Sequence, residues 1–125
     1  VNSYYIGLLL SSEKEEERKA GESVSVFFPN QEENQRGTHV NISGVAITKN
    51  SPNKDNAVML INYLLSEDAQ KTYVNNIYEY SVNKNVKPSK IVQDWGEFKI
   101  DNLDLNSLGV FREDAVNVFD ETGWK

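Results

Sequence analysis

Apolar positions recur at helical spacing along much of the chain. Tyr4, Tyr5, Leu8 and Leu9 mark a first helix, with Ser3 as its expected N-cap. The charged tract Glu13–Lys19 reads as the solvated continuation of that helix. Within it Glu15 and Lys19 form an attractive i,i+4 pair, Lys14 and Arg18 a repulsive one, and Gly21 is the expected stop. After the turn Ser51-Pro52-Asn53, residues Ala57, Leu60, Ile61, Leu64 and Leu65 predict a helix with one core face. Ser66-Glu67-Asp68 restarts a helix at once, with a cap and acidic residues in its first turn, followed by Ala69, Tyr73 and Val74. Pro88 opens a short helix through Ile91, Val92 and Trp95, ended by Gly96. A last helix runs from Glu113 to Thr122, with Ala115, Val116 and Phe119 inward and Gly123-Trp124 closing it.

Strand signals are fewer. Val24–Phe28 is β-branched and aromatic and is stopped by Pro29-Asn30. Thr38–Thr48 alternates polar with apolar in its early part and is interrupted by Gly44. Tyr78–Val82 is short and extended, which places Tyr78 and Tyr80 on one strand face. The expected class is α/β, helix-rich with few strands. Two or three strands are too few for a self-sufficient sheet carrying this many helices. Together with an abrupt apolar, aromatic start at Val1, this reads as a piece of something longer.

The 125 residues amount to one domain's worth of chain, and 38% hydrophobic content suits a globular protein. The net charge of −6 disfavours nucleic acid or an anionic membrane as principal partner. With no cysteine, disulfides, thiolate metal sites and cysteine nucleophiles are excluded, and a single His is too few for a His-rich metal site.

The adjacent phenols of Tyr4 and Tyr5 are the main candidate chemistry. Two readings stay open on the residues alone: aromatic packing with the hydroxyls at the edge of a core, or metal ligation. Phenolate is a hard anionic oxygen donor, and a trivalent cation can displace the phenol proton at neutral pH. Asn2 could hydrogen-bond a small anion beside them, or be a turn residue. His39 is either a ligand or a hydrogen-bonded strand residue. Trp95 and Trp124 read as packing anchors. No phosphate loop, His-x-x-x-His pair or nucleophile elbow is present.

Asn2-Ser3-Tyr4-Tyr5 resembles the Asn-x-Tyr-Tyr element of bacterial ferric-iron-binding periplasmic proteins. The run Phe28-Pro29-Asn30-Gln31 with Arg36–Val45 is similar to the return segment of that family. So, in order, are Asn53 with Asn56-Ala57-Val58, Leu64–Gln70, Tyr78–Val82, Val92–Gly96, and Ala115 with Phe119-Asp120 and Gly123-Trp124. Ser81 departs from the family, where proline is usual. The resemblance implies roughly the C-terminal two-fifths of a two-lobe protein with the type II periplasmic-binding-protein fold. It implies that residues 1–40 and 86–125 belong to the second lobe and 41–85 to the first, that Tyr4 and Tyr5 are metal ligands, and that Asn2 contacts a synergistic anion. Further ligands, including another tyrosine, would come from sequence upstream of Val1.

The implied function is that of the substrate-binding component of an ABC importer. It would capture Fe(III) through tyrosine phenolates in an interlobe cleft and deliver it to an inner-membrane permease, in the periplasm or an extracytoplasmic space. The alternatives are a binding protein for another small ligand, an anion or organic acid, and a fragment with no binding activity of its own. An enzyme is not expected, because no second catalytic group accompanies Tyr4 or Tyr5 at useful spacing. Incomplete lobes predict uncovered apolar surface and association of the chain with a second copy, as a homodimer or by segment exchange.

Overall fold

The computed structural model describes residues 2–124; Val1 and Lys125, the outer limits of the expected lobe ranges, lie outside the described residues. The chain divides into two compact units, one of Val1–Phe28 with Ile42–Glu97, the other of Pro29–Asn41 with Phe98–Lys125.

The first unit holds five helices: α1 (Tyr4–Leu10), α2 (Glu15–Glu22), α3 (Lys54–Leu64), α4 (Glu67–Asn76) and α5 (Lys90–Gln93). Ser3 is not the cap that the sequence predicts. Its backbone is already helical and its side chain accepts no cap hydrogen bond. The acidic tract does not continue α1. Ser11 to Lys14 break the chain, and α2 folds back on α1. The break is held by side chains: Ser12 Oγ donates to Glu17 (2.5 Å), Lys14 pairs with Glu17 (2.8 Å), and Arg18 Nη1 donates to the Ser12 carbonyl (2.6 Å). Lys14 and Arg18, the pair expected to repel, thus each have a partner of their own. The Glu15–Lys19 pair forms at 2.7 Å. Gly21 is no stop but an internal buried position of α2, where an added Cβ would lie 3.1 Å from Leu9 Cβ and 3.1 Å from Leu10 N.

The α3–α4 pair forms as expected, with only Leu65-Ser66 between the helices and Ser66 Oγ accepting from Ala69 N. The apolar face of α3 is less covered than its spacing predicts. No α3 residue is buried, and Leu60 is 56% exposed. Periodicity reports what a helix can bury, and covering that face also needs a partner. The core that does form is small: Ala69, Val74, Val86 and Val92, with the buried polar Gln70 and Ser89. Gln70 is satisfied throughout. It donates to the Leu64 carbonyl (2.7 Å) and accepts from Ser81 Oγ (2.9 Å) and Val82 N (3.1 Å).

The second unit holds α6 (Asn106–Val110) and α7 (Arg112–Thr122). Its two arms meet at a parallel bridge between Thr38 and Ile100. Gln31 ties them further, accepting from Lys99 N (2.6 Å) and donating to Thr38 Oγ1 (2.9 Å). Gly123 ends α7 in the left-handed conformation (φ 66°), as expected of a glycine cap. The expected inward face of α7 is open, with Val116 and Phe119 both exposed.

Among the described residues that single bridge replaces the expected strands. Val24–Phe28, Thr38–Thr48 and Tyr78–Val82 build no ladder; of them only Thr38 takes part in the bridge. An alternating pattern sets extended backbone, but a strand exists only against a neighbour. Nor do Tyr78 and Tyr80 share a strand face. Tyr78 has φ 56°, which breaks the alternation.

Candidate metal centre

The first turn of α1 carries both phenols. A helix turns about 100° per residue, so neighbours diverge unless their side chains bend together. Here the Tyr4 and Tyr5 rings lie with centroids 4.5 Å apart, tilted by 44°. Asn2, two residues earlier, places its amide Nδ2 3.2 Å from the Tyr4 hydroxyl. Tyr5 is half-exposed and Tyr4 partly covered, so the pair opens to solvent and is not packed into a core. Of the two readings left open by sequence, core packing does not describe Tyr5.

Hydrogen bonding with Tyr4, then the charge on its neighbour, and last slight burial raise the Tyr5 phenol above its ordinary value. Tyr5 thus holds its proton at neutral pH, and a cation that takes its oxygen must displace that proton. The donor set is two phenol oxygens with a flanking amide: hard, neutral when free, anionic when metallated. Among the described residues no three His, Asp or Glu side chains converge on a common point.

The other candidates go elsewhere. His39 lies in the second unit, its Nδ1 3.2 Å from Asp101 Oδ2, and the mostly buried Asp101 carboxylate holds the ring. Trp95 borders a shallow hollow of about 270 Å³ with Ile6, Leu10 and Val24, which takes in neither phenol. Trp124 packs on Phe119 at 6.5 Å. Sequence reasoning missed the contact between Tyr78 and Gly7 of α1. An added Cβ on Gly7 would lie 2.5 Å from Tyr78 Cβ and 2.9 Å from Cδ2. The glycine in an apolar helix was its only signal.

Comparison with known proteins accords with these features. The chain superposes on a ferric binding protein from Campylobacter jejuni with a TM-score of 0.92 at 38% identity, covering all of this chain and 39% of that one. A Trichodesmium protein solved in complex with iron and citrate gives 0.91 at 41% identity, with the same coverage. The fold is therefore that of part of a type II periplasmic binding protein, helix-rich with few strands. Residues 4–100 match the family of bacterial extracellular solute-binding proteins, and the chain belongs to that family, a binding and not an enzyme class. Two Synechocystis proteins, iron uptake protein A1 and A2, are 47% and 38% identical over the 125 residues. The chain spans about a third of the length of these curated relatives (34% and 36%). No helix among the described residues is long and apolar enough to cross a membrane.

Proposed function

We propose that this chain is the C-terminal portion of a ferric-iron-binding component of an ABC importer and that Tyr4 and Tyr5 are two of the metal's ligands. The observation that carries the reading is the solvent-open phenol pair at the start of α1, 4.5 Å between ring centroids. Support comes from relatives whose names specify iron uptake or ferric binding. Fe(III) is the cargo. It displaces the phenol protons and takes two hard anionic oxygens in exchange. The second N–H of Asn2, beyond the one directed at Tyr4, is the donor for a synergistic anion; citrate accompanies iron in the Trichodesmium relative. In the two-lobe protein, residues 1–40 and 86–125 belong to one lobe and 41–85 to the other. Closure of the lobes on the ion is the state that an inner-membrane permease reads, on the extracytoplasmic side.

The test is a ferric titration followed by visible absorbance, comparing the chain with a Tyr4→Phe/Tyr5→Phe double variant. A phenolate-to-iron charge-transfer band that appears with iron and is lost in the double variant is the expected result. A band of equal strength in both would remove the phenols from the site. Silence here and in a polypeptide extended upstream would remove iron.

A further inference from the structure

Gly7 and Tyr78 define a contact that the phenol-pair reading does not use. Gly7 follows Tyr4 by three residues, so the two lie on the same face of α1, one turn apart. Gly7 is also the buried residue of that helix. Tyr78 lies directly on the helix backbone there, its Cβ and Cδ2 2.5 and 2.9 Å from the point where a Gly7 side chain would begin. The same Tyr78 sits at φ 56°, in the left-handed region, which a bulky L-residue rarely adopts. Such a conformation persists where its surroundings over-determine it, and it gathers at functional sites.

The surroundings are specific. Ile77 N donates to the Tyr73 carbonyl (2.9 Å) at the end of α4. On the far side, Ser81 Oγ and Val82 N both donate to the buried Gln70 of α4. Both flanks of the Tyr78 turn are therefore fixed to one helix, and the turn delivers its ring onto another. A seven-residue helix such as α1 has little stability of its own, so its direction is set by what packs on it.

We propose that Tyr78 is a positioning residue for the metal site. Its ring, seated on Gly7, fixes α1 against α4 and so fixes the direction in which Tyr4 and Tyr5 present their oxygens. The role belongs to the ring and not to the Tyr78 hydroxyl, so Tyr78 is no ligand. The inference rests on the reading of Tyr4 and Tyr5 as ligands.

The test uses the full chain with three variants and two readouts. Tyr78→Phe keeps the ring. Tyr78→Asn removes it with a residue that tolerates the left-handed backbone. Gly7→Ala forces the ring away. The metal-free readout is the through-space NMR contact between the Tyr4 and Tyr5 ring protons; the second is ferric affinity from the visible band. Tyr78→Phe is expected to match the parent in both. Tyr78→Asn and Gly7→Ala are expected to lose the ring contact at unchanged helix content, and to weaken ferric affinity by about 10- to 100-fold, the usual scale for a residue supporting a ligand. If Gly7→Ala does not fold, Tyr78→Asn decides. Retention of the ring contact in Tyr78→Asn, unchanged affinity there, or loss of the band in Tyr78→Phe overturns the proposal. A ring contact that responds as expected, with no ferric band in the parent chain or in the polypeptide extended upstream, upholds the positioning role and overturns the ferric reading instead.

Discussion

At the scale of single residues, the Tyr5 phenol carries a proton linkage to any cation that takes its oxygen. Tyr5 is raised above the ordinary phenol value by its neighbour, so it holds its proton throughout the neutral range. On the proposed ligation, ferric binding must expel that proton. The sign follows: affinity rises with pH, because a ligand that releases protons binds better where protons are scarce. With the Tyr5 phenol deprotonated on binding, the logarithm of the ferric association constant is expected to climb by about one per pH unit near neutrality. Competition against citrate at several pH values measures this slope, and a flat profile would mean that Tyr5 stays protonated and is not a ligand. Gln70 makes a different single-residue case. It is 8% exposed and serves the Leu64 carbonyl, Ser81 Oγ and Val82 N together. Gln70→Ala removes the partner of the Leu64 carbonyl and of the Val82 amide, both only partly covered, a loss of about 1 kcal/mol. A drop in the urea midpoint would show it, and no drop would mean that water replaces the amide.

At the scale of elements, two serines that look alike in sequence behave differently. Both precede an apolar helical run. Ser66 has extended backbone and its Oγ accepts from Ala69 N at 3.4 Å, while Ser3 is helical and caps nothing. Ser66→Ala is expected to cost about 0.5–1 kcal/mol and Ser3→Ala less than about 0.5. Equal losses in thermal unfolding would contradict the assignment. The contrast shows what was legible. The α3–α4 pair and the Gly123 stop could be read because capping and left-handed glycine are local chemistry; the expected Pro88 helix is shorter, capped by Ser89 and running only Lys90–Gln93, with Pro88, Trp95 and Gly96 outside it. The break between α1 and α2 could not. It depends on Ser12, Lys14, Glu17 and Arg18 closing a knot that no periodicity encodes. The three extended segments were legible as backbone and illegible as sheet, because pairing is a property of two segments. The phenol pair was legible as a motif, but its buttress was not. Nothing in Tyr78-Glu79-Tyr80 announces a residue at φ 56° lying on Gly7.

At the scale of the whole molecule, surface area carries the argument. The chain exposes 10,383 Å². Two separate compact bodies with the sizes of its two units would together expose about 8,100 Å² on the usual mass scaling. The excess holds without reference to how the units are arranged, and much of it is apolar: Phe27 is 81% exposed, and Met59, Tyr63, Val82, Val110 and Trp124 are also open. A specific interface of standard size buries about 1,600 Å² counted over both partners, so the area available is ample for association with a second copy. Electrostatics oppose that step, since each copy carries −6. Self-repulsion between like-charged surfaces weakens as the Debye length shrinks from about 30 Å at 0.01 M salt to about 8 Å at 0.15 M. Two copies should therefore associate more tightly as salt is raised, the reverse of a complex held by ion pairs. Sedimentation equilibrium over a range of concentrations is expected to give a mass that rises with concentration, and more steeply at the higher salt. A mass fixed at that of the monomer under both conditions would show that the open apolar residues recruit no second copy. Association that weakens with salt would shift the cause from apolar burial to charge pairing.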